Sequence, residues 1–342
     1  MLETLTDTLH DLADTITGKN KDKANRPDHD MQAVLDAQAG LGAQPIETLT
    51  PDVARQQPTP ADGAKVVMRE KGMDPTDPMG VETTDIQYDG ATGKLAARVY
   101  KPEDADVLLP VVLYFHGGGF VIANIDVYDG GPRAIAKAAN AIVVSAEYRQ
   151  APEHKFPAAH DDAFAAYQWV LANAESLGGD PARIAIMGES AGGGLALATS
   201  VKARDMGLQA PVSQILVYPV AGVDMMTESY QTYANAKPLN KAMMAWFVGH
   251  YLNNDAEKSD PRIDAIGVAD LSNLPDTTII NAQIDPLCSD GELLADKLKA
   301  AGVKVNRRVF EGATHEFFGM ASVVGEAKLA VAMATFDLKA SF

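Results

Sequence analysis

The chain has 342 residues, a hydrophobic content of 46% and a formal net charge of −17 at pH 7. This length suits one large domain or two, and the acidity argues against nucleic acid or an anionic membrane surface as a partner. The single cysteine, Cys288, excludes an internal disulfide, and no stretch matches a signal peptide or approaches the roughly 20 apolar residues of a membrane helix, so we expect a cytoplasmic protein.

Residues 1–75 have helical periodicity and several turn signals. Apolar residues recur at helical spacing over 2–16, and a second short helix is predicted over 31–39. Four prolines punctuate residues 45–60. We therefore expect an accessory helical segment here rather than part of a sheet.

From residue 81 onward the pattern changes to strands that alternate with helices. The first two strands read as an antiparallel pair, and the later ones are buried runs separated by helices. Such alternation predicts an α/β fold, with a mostly parallel eight-stranded sheet flanked by helices on both faces. The predicted strands are 83–89, 94–100, 109–115, 141–147, 183–187, 213–218, 277–282 and 303–310. The predicted helices are 131–139, 158–172, 193–200, 290–300 and 326–338.

Residues 222–275 interrupt this rhythm, because they supply no predicted strand. They contain a strongly apolar helix over 241–252. Insertions that follow the carboxyl end of a strand lie over the site in such folds, so a cap is expected. Met243, Met244 and Phe247 of this helix are candidates for lining a substrate pocket. The alternative is that the helix simply packs on the N-terminal helices.

The sequence Gly188-Glu189-Ser190-Ala191-Gly192 follows a predicted strand and precedes a predicted helix. This strand, G-x-S-x-G and helix order is typical of a nucleophile elbow, in which a serine hydroxyl is exposed on a tight turn. Glycine two residues away on each side avoids collisions with neighbouring backbone. Ser190 is therefore the candidate nucleophile.

A serine nucleophile needs a base and an acid that orients it. His250 and His315 are the two histidines after Ser190, and His315 follows the last predicted strand, where the base is expected. Asp285 follows the preceding strand and is the favoured acid. Asp290 is its rival, but capping the following helix explains that residue adequately. The order Ser190, Asp285, His315 is the one expected for this fold.

A run of three glycines, Gly117 to Gly119, follows His116 at the end of the 109–115 strand. Consecutive glycines let backbone N–H groups point inward without a Cβ in the way. Each such donor to an oxyanion is worth roughly 100- to 1000-fold in rate. We expect the N–H of Ala191 to complete this oxyanion hole.

These motifs together resemble the hormone-sensitive lipase family of α/β-hydrolases, also called family IV bacterial esterases. The resemblance rests on HGGGF, EYRQAPEHKFPAAHDD, GESAGGG, LVYP, DPL and the loop of His315. It implies a serine carboxylesterase without metal or cofactor, a triad of Ser190, Asp285 and His315, and an oxyanion hole from Gly117, Gly118 and Ala191. It also implies a cap built from residues 1–75 and 222–275, over a catalytic core of 76–221 and 276–342.

The chain departs from this family at three positions. Glu189 stands where Asp or Thr is usual, Gln150 where leucine is common, and Glu316 where glycine is common after the base. No departure removes a triad member. We expect short- to medium-chain esters as substrates and a homodimer through the last strand. Two alternatives stay open: an amidase or peptidase with the same triad, and a non-catalytic ligand receptor.

Overall fold

A computed structural model describes residues 25–103 and 108–342 of the chain. The helix predicted over 2–16 lies outside the described residues. Eight strands form one sheet, as the sequence pattern predicts, and their order in it is β1-β2-β4-β3-β5-β6-β7-β8. The strands are β1 Val81–Asp89, β2 Lys94–Pro102, β3 Leu109–Phe115, β4 Ile142–Ala146, β5 Gly179–Glu189, β6 Gln214–Val217, β7 Thr277–Ile284 and β8 Val305–Thr314.

Six neighbouring strands of the sheet, in the order β4-β3-β5-β6-β7-β8, are parallel. Strand β2 pairs antiparallel with both β1 and β4, which makes the first two strands an antiparallel lead-in. Strands β3 and β4 are buried along their whole length. Their continuous apolar runs are what a parallel strand covered on both faces requires. The carboxyl ends of the parallel strands therefore meet at one edge of the sheet.

Helices cover both faces of the sheet. They are α1 His29–Gly40, α2 Pro51–Ala54, α3 Pro60–Glu70, α4 Gly130–Ala139, α5 Ala158–Asn173, α6 Ala191–Asp205, α7 Glu228–Thr232, α8 Lys241–Tyr251, α9 Cys288–Ala300 and α10 Gly325–Ser341. Helices α4 and α10, with α1 and α3, pack in the apolar core on one face. Helices α5, α6, α8 and α9 pack in the core on the other.

The predicted strands differ most from the observed ones at the start of β5, which begins at Gly179 rather than at residue 183, and at the end of β8. The sequence pattern ends this strand at residue 310, but it continues to Thr314. The register shifts between the pairs Ala282–Phe310 and Ile284–Thr314, because β8 advances four residues there while β7 advances two. This extension places His315 directly after the strand. Among the described residues, no helix is both long and apolar enough to cross a membrane.

Residues 222–275, between β6 and β7, contain α7 and α8 and no strand. Asn240 caps α8 by accepting a hydrogen bond from the N–H of Met243 at 2.8 Å. On one side of α8, Trp246 donates to the carbonyl oxygen of Leu49 at 3.1 Å. On another side, Phe247 lies over Gly119, where an added Cβ would be 2.3 Å from its ring. The helix therefore contacts both the N-terminal segment and the glycine loop.

Candidate active site

Ser190 stands on the sharp turn between β5 and α6. Its backbone has φ 56° and ψ −119°, a conformation that a non-glycine residue adopts only when its surroundings enforce it. The glycines of the motif are needed for close approach. A Cβ on Gly188 would lie 2.1 Å from the carbonyl oxygen of Gly192, and one on Gly192 would lie 2.1 Å from that of Phe115. The turn is as tight as the G-x-S-x-G pattern predicts.

His315 lies between Ser190 and Asp285. Its Nε2 is 2.9 Å from Ser190 Oγ, and its Nδ1 is 2.7 Å from Asp285 Oδ2. All three residues are buried. Because the carboxylate of Asp285 accepts from Nδ1, Nε2 is left to accept a proton from the serine hydroxyl. The second oxygen of Asp285 accepts from the N–H of Leu287 at 2.9 Å, which holds the carboxylate in place.

Asp290 does not cap a helix, which corrects the structural role predicted for it. Helix α9 begins at Cys288, so Asp290 lies inside its first turn. Its Oδ2 accepts from the N–H groups of Ala221, at 3.3 Å, and Gly222, at 3.1 Å. Burial raises the pKa of Asp290 to about 7. The residue thus fixes the chain where it leaves β6.

His250, the other histidine after Ser190, packs against a tryptophan. Its ring lies edge-on to Trp246, with the centroids 4.4 Å apart. Burial lowers the pKa of His250, and the positive charge of Lys155 lowers it further. The packing role that the sequence suggests for His250 agrees with this contact.

The glycine loop after β3 approaches Ser190 from the other side. Gly118 has φ +101° and Gly119 has φ +60°, conformations that strongly favour glycine. A Cβ on Gly117 would be 3.1 Å from the Cβ of Ser190. Within residues 25–103 and 108–342, no hydrogen bond uses the N–H groups of Gly117, Gly118 or Ala191. Gly117 and Gly118 follow β3, and Ala191 is the first residue of α6, directly after Ser190.

Two side chains brace the chain just after these glycines. Arg55, at the end of α2, donates from Nε to the carbonyl oxygen of Val121 at 2.8 Å. Gln150 donates from Nε2 to the carbonyl oxygens of Ile122 and Ala123, at 3.0 and 2.9 Å. A leucine at position 150 could make neither bond. The departure at Gln150 therefore gives the loop two extra supports.

Glu189 is buried beneath the nucleophile. The hydroxyls of Tyr114 on β3 and Tyr218 after β6 donate to its two carboxylate oxygens. Burial raises the pKa of Glu189 to about 7, although the two tyrosine hydrogen bonds oppose this rise. The ring of Tyr218 also packs against His315, with the centroids 4.4 Å apart. Glu189 and its two tyrosines therefore pack directly against the nucleophile turn and the base.

Glu316, the residue after the base, is half-buried and has φ +66°. This backbone conformation explains why glycine suits the position. Its Oε1 accepts from the hydroxyl of Tyr128 at 3.3 Å. Burial raises the pKa of Glu316, while the neighbouring His315 opposes the rise. A carboxyl group therefore lies beside the candidate base.

His315 is surrounded by acidic groups that change its basicity. Burial opposes its charged form, but the carboxylate of Asp285 more than offsets this, with help from Glu316 and Glu189. The net result is that the pKa of His315 lies above its ordinary value. The imidazolium form is thus stabilised, as it must be when the base has taken a proton.

A cavity of about 700 Å³ opens above Ser190. Its wall includes His315, the glycine loop, and Met243, Met244 and Phe247, the three pocket candidates from the sequence. Segments near residues 38–60 also contribute to the wall, as do residues 220–263. Among the described residues, no group of three or more His, Cys, Asp or Glu side chains is arranged to hold a metal ion.

Comparison with known proteins agrees with this geometry. Residues 112–319 match the family model described as alpha/beta hydrolase fold. The chain belongs to the α/β-hydrolase family. The predicted fold class is confirmed, and so is the resemblance to hormone-sensitive lipase relatives. The chain is 40% identical to the carboxylesterase NlhH of Mycobacterium tuberculosis, over 82% of this chain and 90% of that protein.

Two further relatives extend the comparison. The ethyl acetate hydrolase of Pseudomonas putida is 36% identical, over 70% of this chain and 76% of that protein. Among solved structures, a thermostable esterase from Pseudomonas putida superposes with a TM-score of 0.84 at 29% identity, covering 92% of this chain and 98% of the other. The likeness therefore spans most of the chain.

Sequence reasoning missed several residues around the site. Tyr114 and Tyr218 under Glu189, Tyr128 beside Glu316, and Arg55 beneath the glycine loop all come from distant parts of the chain. The unusual Glu189 and Glu316 were the only local signals that buried partners were needed. Their partners are read from the structure, because no spacing pattern connects them.

Proposed function

We propose that this protein is a serine carboxylesterase whose triad is Ser190, Asp285 and His315. The observation that carries the proposal is the continuous chain of short contacts from Ser190 Oγ to His315 Nε2 and from His315 Nδ1 to Asp285 Oδ2, at 2.9 and 2.7 Å. The names of the curated relatives, a carboxylesterase and an ethyl acetate hydrolase, support ester hydrolysis.

In the proposed reaction, Ser190 Oγ attacks the ester carbonyl carbon while His315 Nε2 takes the hydroxyl proton. The resulting oxyanion accepts hydrogen bonds from the N–H groups of Gly117, Gly118 and Ala191. His315 then gives its proton to the leaving oxygen, the C–O bond breaks, and an acyl group stays on Ser190. Water, activated by the same base, attacks this acyl-enzyme and releases the carboxylic acid.

The substrate cavity supports short- to medium-chain acyl groups. Its volume of about 700 Å³ is in the range of small-molecule sites. Met243, Met244 and Phe247 give it an apolar wall, and methionine adapts its shape to different acyl groups. Residues 222–275 and the N-terminal segment act as a cap over the core of 76–221 and 276–342 in this proposal.

A matched set of chromogenic substrates tests the proposal. We expect the wild-type protein to cleave p-nitrophenyl acetate and butyrate, with rates falling for acyl chains of more than about eight carbons. The Ser190→Ala variant serves as the blank. Faster cleavage of the corresponding p-nitroanilide would indicate an amidase. Ligand-dependent thermal shifts without turnover of either substrate would indicate a receptor.

We propose a homodimer formed along β8, since this strand is at the edge of the sheet. Edge strands are usually paired or covered. Helix α10 contacts β8 and exposes Phe336 by 73% and Leu329 by 47%. These exposed apolar side chains beside the open edge support an interface there. The cytoplasmic location stays a prediction, which fractionation of the source cells would test.

A further inference from the structure

The basic side chains in the wall of the substrate cavity are paired with acids, but one acidic side chain is not paired with a base. Each of its lysine and arginine side chains already has an acidic partner. The pairs are Arg55 with Glu153 at 2.7 Å, Lys258 with Asp255 at 2.8 Å, and Arg262 with Asp260 at 2.8 Å. The cavity therefore offers little free positive charge to a substrate.

The acidic side chains of the wall differ from one another. Glu153 is the partner of Arg55. Glu147 accepts from the N–H of Ile125 at 2.8 Å and lies 3.2 Å from His116 Nε2. Glu316 is different, since its hydrogen-bond partner is the neutral hydroxyl of Tyr128. Within the described ranges, 25–103 and 108–342, no lysine or arginine forms a salt bridge with it.

The chemistry of the reaction places Glu316 next to one part of the substrate. His315 Nε2 must hand its proton to the oxygen of the leaving alcohol, so the alcohol part of the ester lies on the side of His315. Glu316 directly follows His315 and lines the same cavity as Ser190. Glu316 therefore lies in the part of the cavity wall that adjoins His315, the side on which the alcohol part is expected.

We propose that Glu316 makes the enzyme selective for esters whose alcohol part carries a positive charge close to the ester oxygen. This inference rests on the proposed esterase function and adds a substrate class to it. A protonated or quaternary ammonium group two carbons from the ester oxygen would meet an acidic side chain that, among the described residues, has no lysine or arginine partner. The net charge of −17 would also favour the approach of such cationic esters.

An isosteric pair of substrates isolates the charge. Butyrylcholine and 3,3-dimethylbutyl butyrate have the same shape, but only the first is cationic. We expect the wild-type kcat/KM to be about tenfold higher for butyrylcholine than for the neutral ester. A tenfold difference requires only part of the attraction that two opposite unit charges exert on each other in a partly buried site. Because both substrates use the same acyl group and the same triad, changes in the chemical step cancel in this ratio.

Three variants identify the residue responsible. Glu316→Gln keeps the size and the hydrogen bond from Tyr128 but removes the charge, and we expect its ratio to fall to within about twofold of one. Glu316→Gly removes the charge and also the backbone strain of a non-glycine residue at positive φ, and we expect the same fall in the ratio. With two variants, a folding defect in one of them does not decide the outcome. Glu311→Gln removes an equal charge from an exposed position outside the cavity and should keep the wild-type ratio.

The outcomes separate this inference from the underlying function. Wild-type protein that cleaves the neutral ester at least as fast as butyrylcholine would overturn the charge selectivity while leaving the esterase proposal intact. An unchanged ratio in both Glu316 variants would overturn the role of Glu316. Failure of the wild-type protein to cleave either ester or p-nitrophenyl butyrate, when Ser190→Ala behaves identically, would overturn both proposals.

Discussion

Replacing Asp285 by asparagine should nearly abolish turnover without unfolding the protein. Asp285 Oδ2 accepts a hydrogen bond from Nδ1 of His315, and the two atoms are 2.7 Å apart. An asparagine amide that donates to Nδ1 would move the imidazole proton to Nε2, which could then no longer accept from Ser190. The same change in a serine protease triad lowers kcat about 10⁴-fold. We therefore expect a loss of about 10⁴-fold in kcat, equivalent to roughly 5.4 kcal/mol of transition-state stabilisation.

Asp290→Asn is the matched control, five residues along the chain. Asp290 is also buried, but its Oδ2 accepts from the backbone of Ala221 and Gly222 rather than from a histidine. Burial raises the pKa of Asp290 to about 7, so the neutral form costs little near neutral pH. An asparagine side-chain oxygen can accept the same two bonds. We expect kcat within about threefold of wild type.

Steady-state hydrolysis of p-nitrophenyl butyrate, with thermal denaturation followed by circular dichroism, measures both effects. The reasoning would be refuted by an Asp285→Asn enzyme that keeps more than a tenth of wild-type kcat. It would equally be refuted by an Asp290→Asn enzyme that loses activity to the same extent while staying folded, since Asp290 would then be the acid.

Four further predictions follow from particular contacts. The kcat/KM should rise with pH as His315 loses its proton, with a midpoint above the ordinary histidine pKa of about 6.5, because its acidic neighbours raise the pKa of His315; a flat profile from pH 5 to 8 with chemistry limiting would contradict this. Phe247→Ala should shift the preferred acyl length in a p-nitrophenyl ester series toward longer chains, and a uniform fall in Tm with unchanged preference would leave it only a packing role. Gly192→Ala should prevent correct folding, since its Cβ would be 2.1 Å from the carbonyl oxygen of Phe115, whereas Gly249→Ala in α8 meets nothing within 4 Å and should be tolerated. Phe336→Glu should give a monomer mass in light scattering where the wild type gives a dimer, and a wild-type monomer would end the dimer proposal.

The parts of the site that could be predicted from sequence are those with a local signature. Ser190 is marked by glycines two residues away on each side, because only a turn with no Cβ at those positions fits between neighbouring backbones. Asp285 and His315 follow consecutive parallel strands, whose carboxyl ends must meet at one edge of the sheet. Because each of these residues follows a parallel strand, the sequence predicts that Ser190, Asp285 and His315 lie close together although they are far apart in the chain.

The remaining parts depend on packing between distant segments, which a local pattern does not encode. The partners of Glu189 come from β3 and from the segment after β6, so its protection by Tyr114 and Tyr218 follows only from the sheet order. The sequence pattern predicts a helix-capping role for Asp290, since no local signal shows the approach of Ala221 and Gly222. The sequence pattern ends β8 four residues too early, because β8 has two extra residues relative to β7 between Phe310 and Thr314 and then pairs again with Ile284.

The measurement that tests the central claim most directly is covalent labelling of the nucleophile. Diethyl p-nitrophenyl phosphate reacts with an activated serine and mimics the tetrahedral intermediate. We expect one diethylphosphoryl group per chain, located by peptide mass spectrometry on Ser190, with activity lost in proportion to labelling and no labelling of Ser190→Ala or His315→Ala. Complete inactivation with the label on another residue, or full esterase activity in Ser190→Ala, would contradict the account.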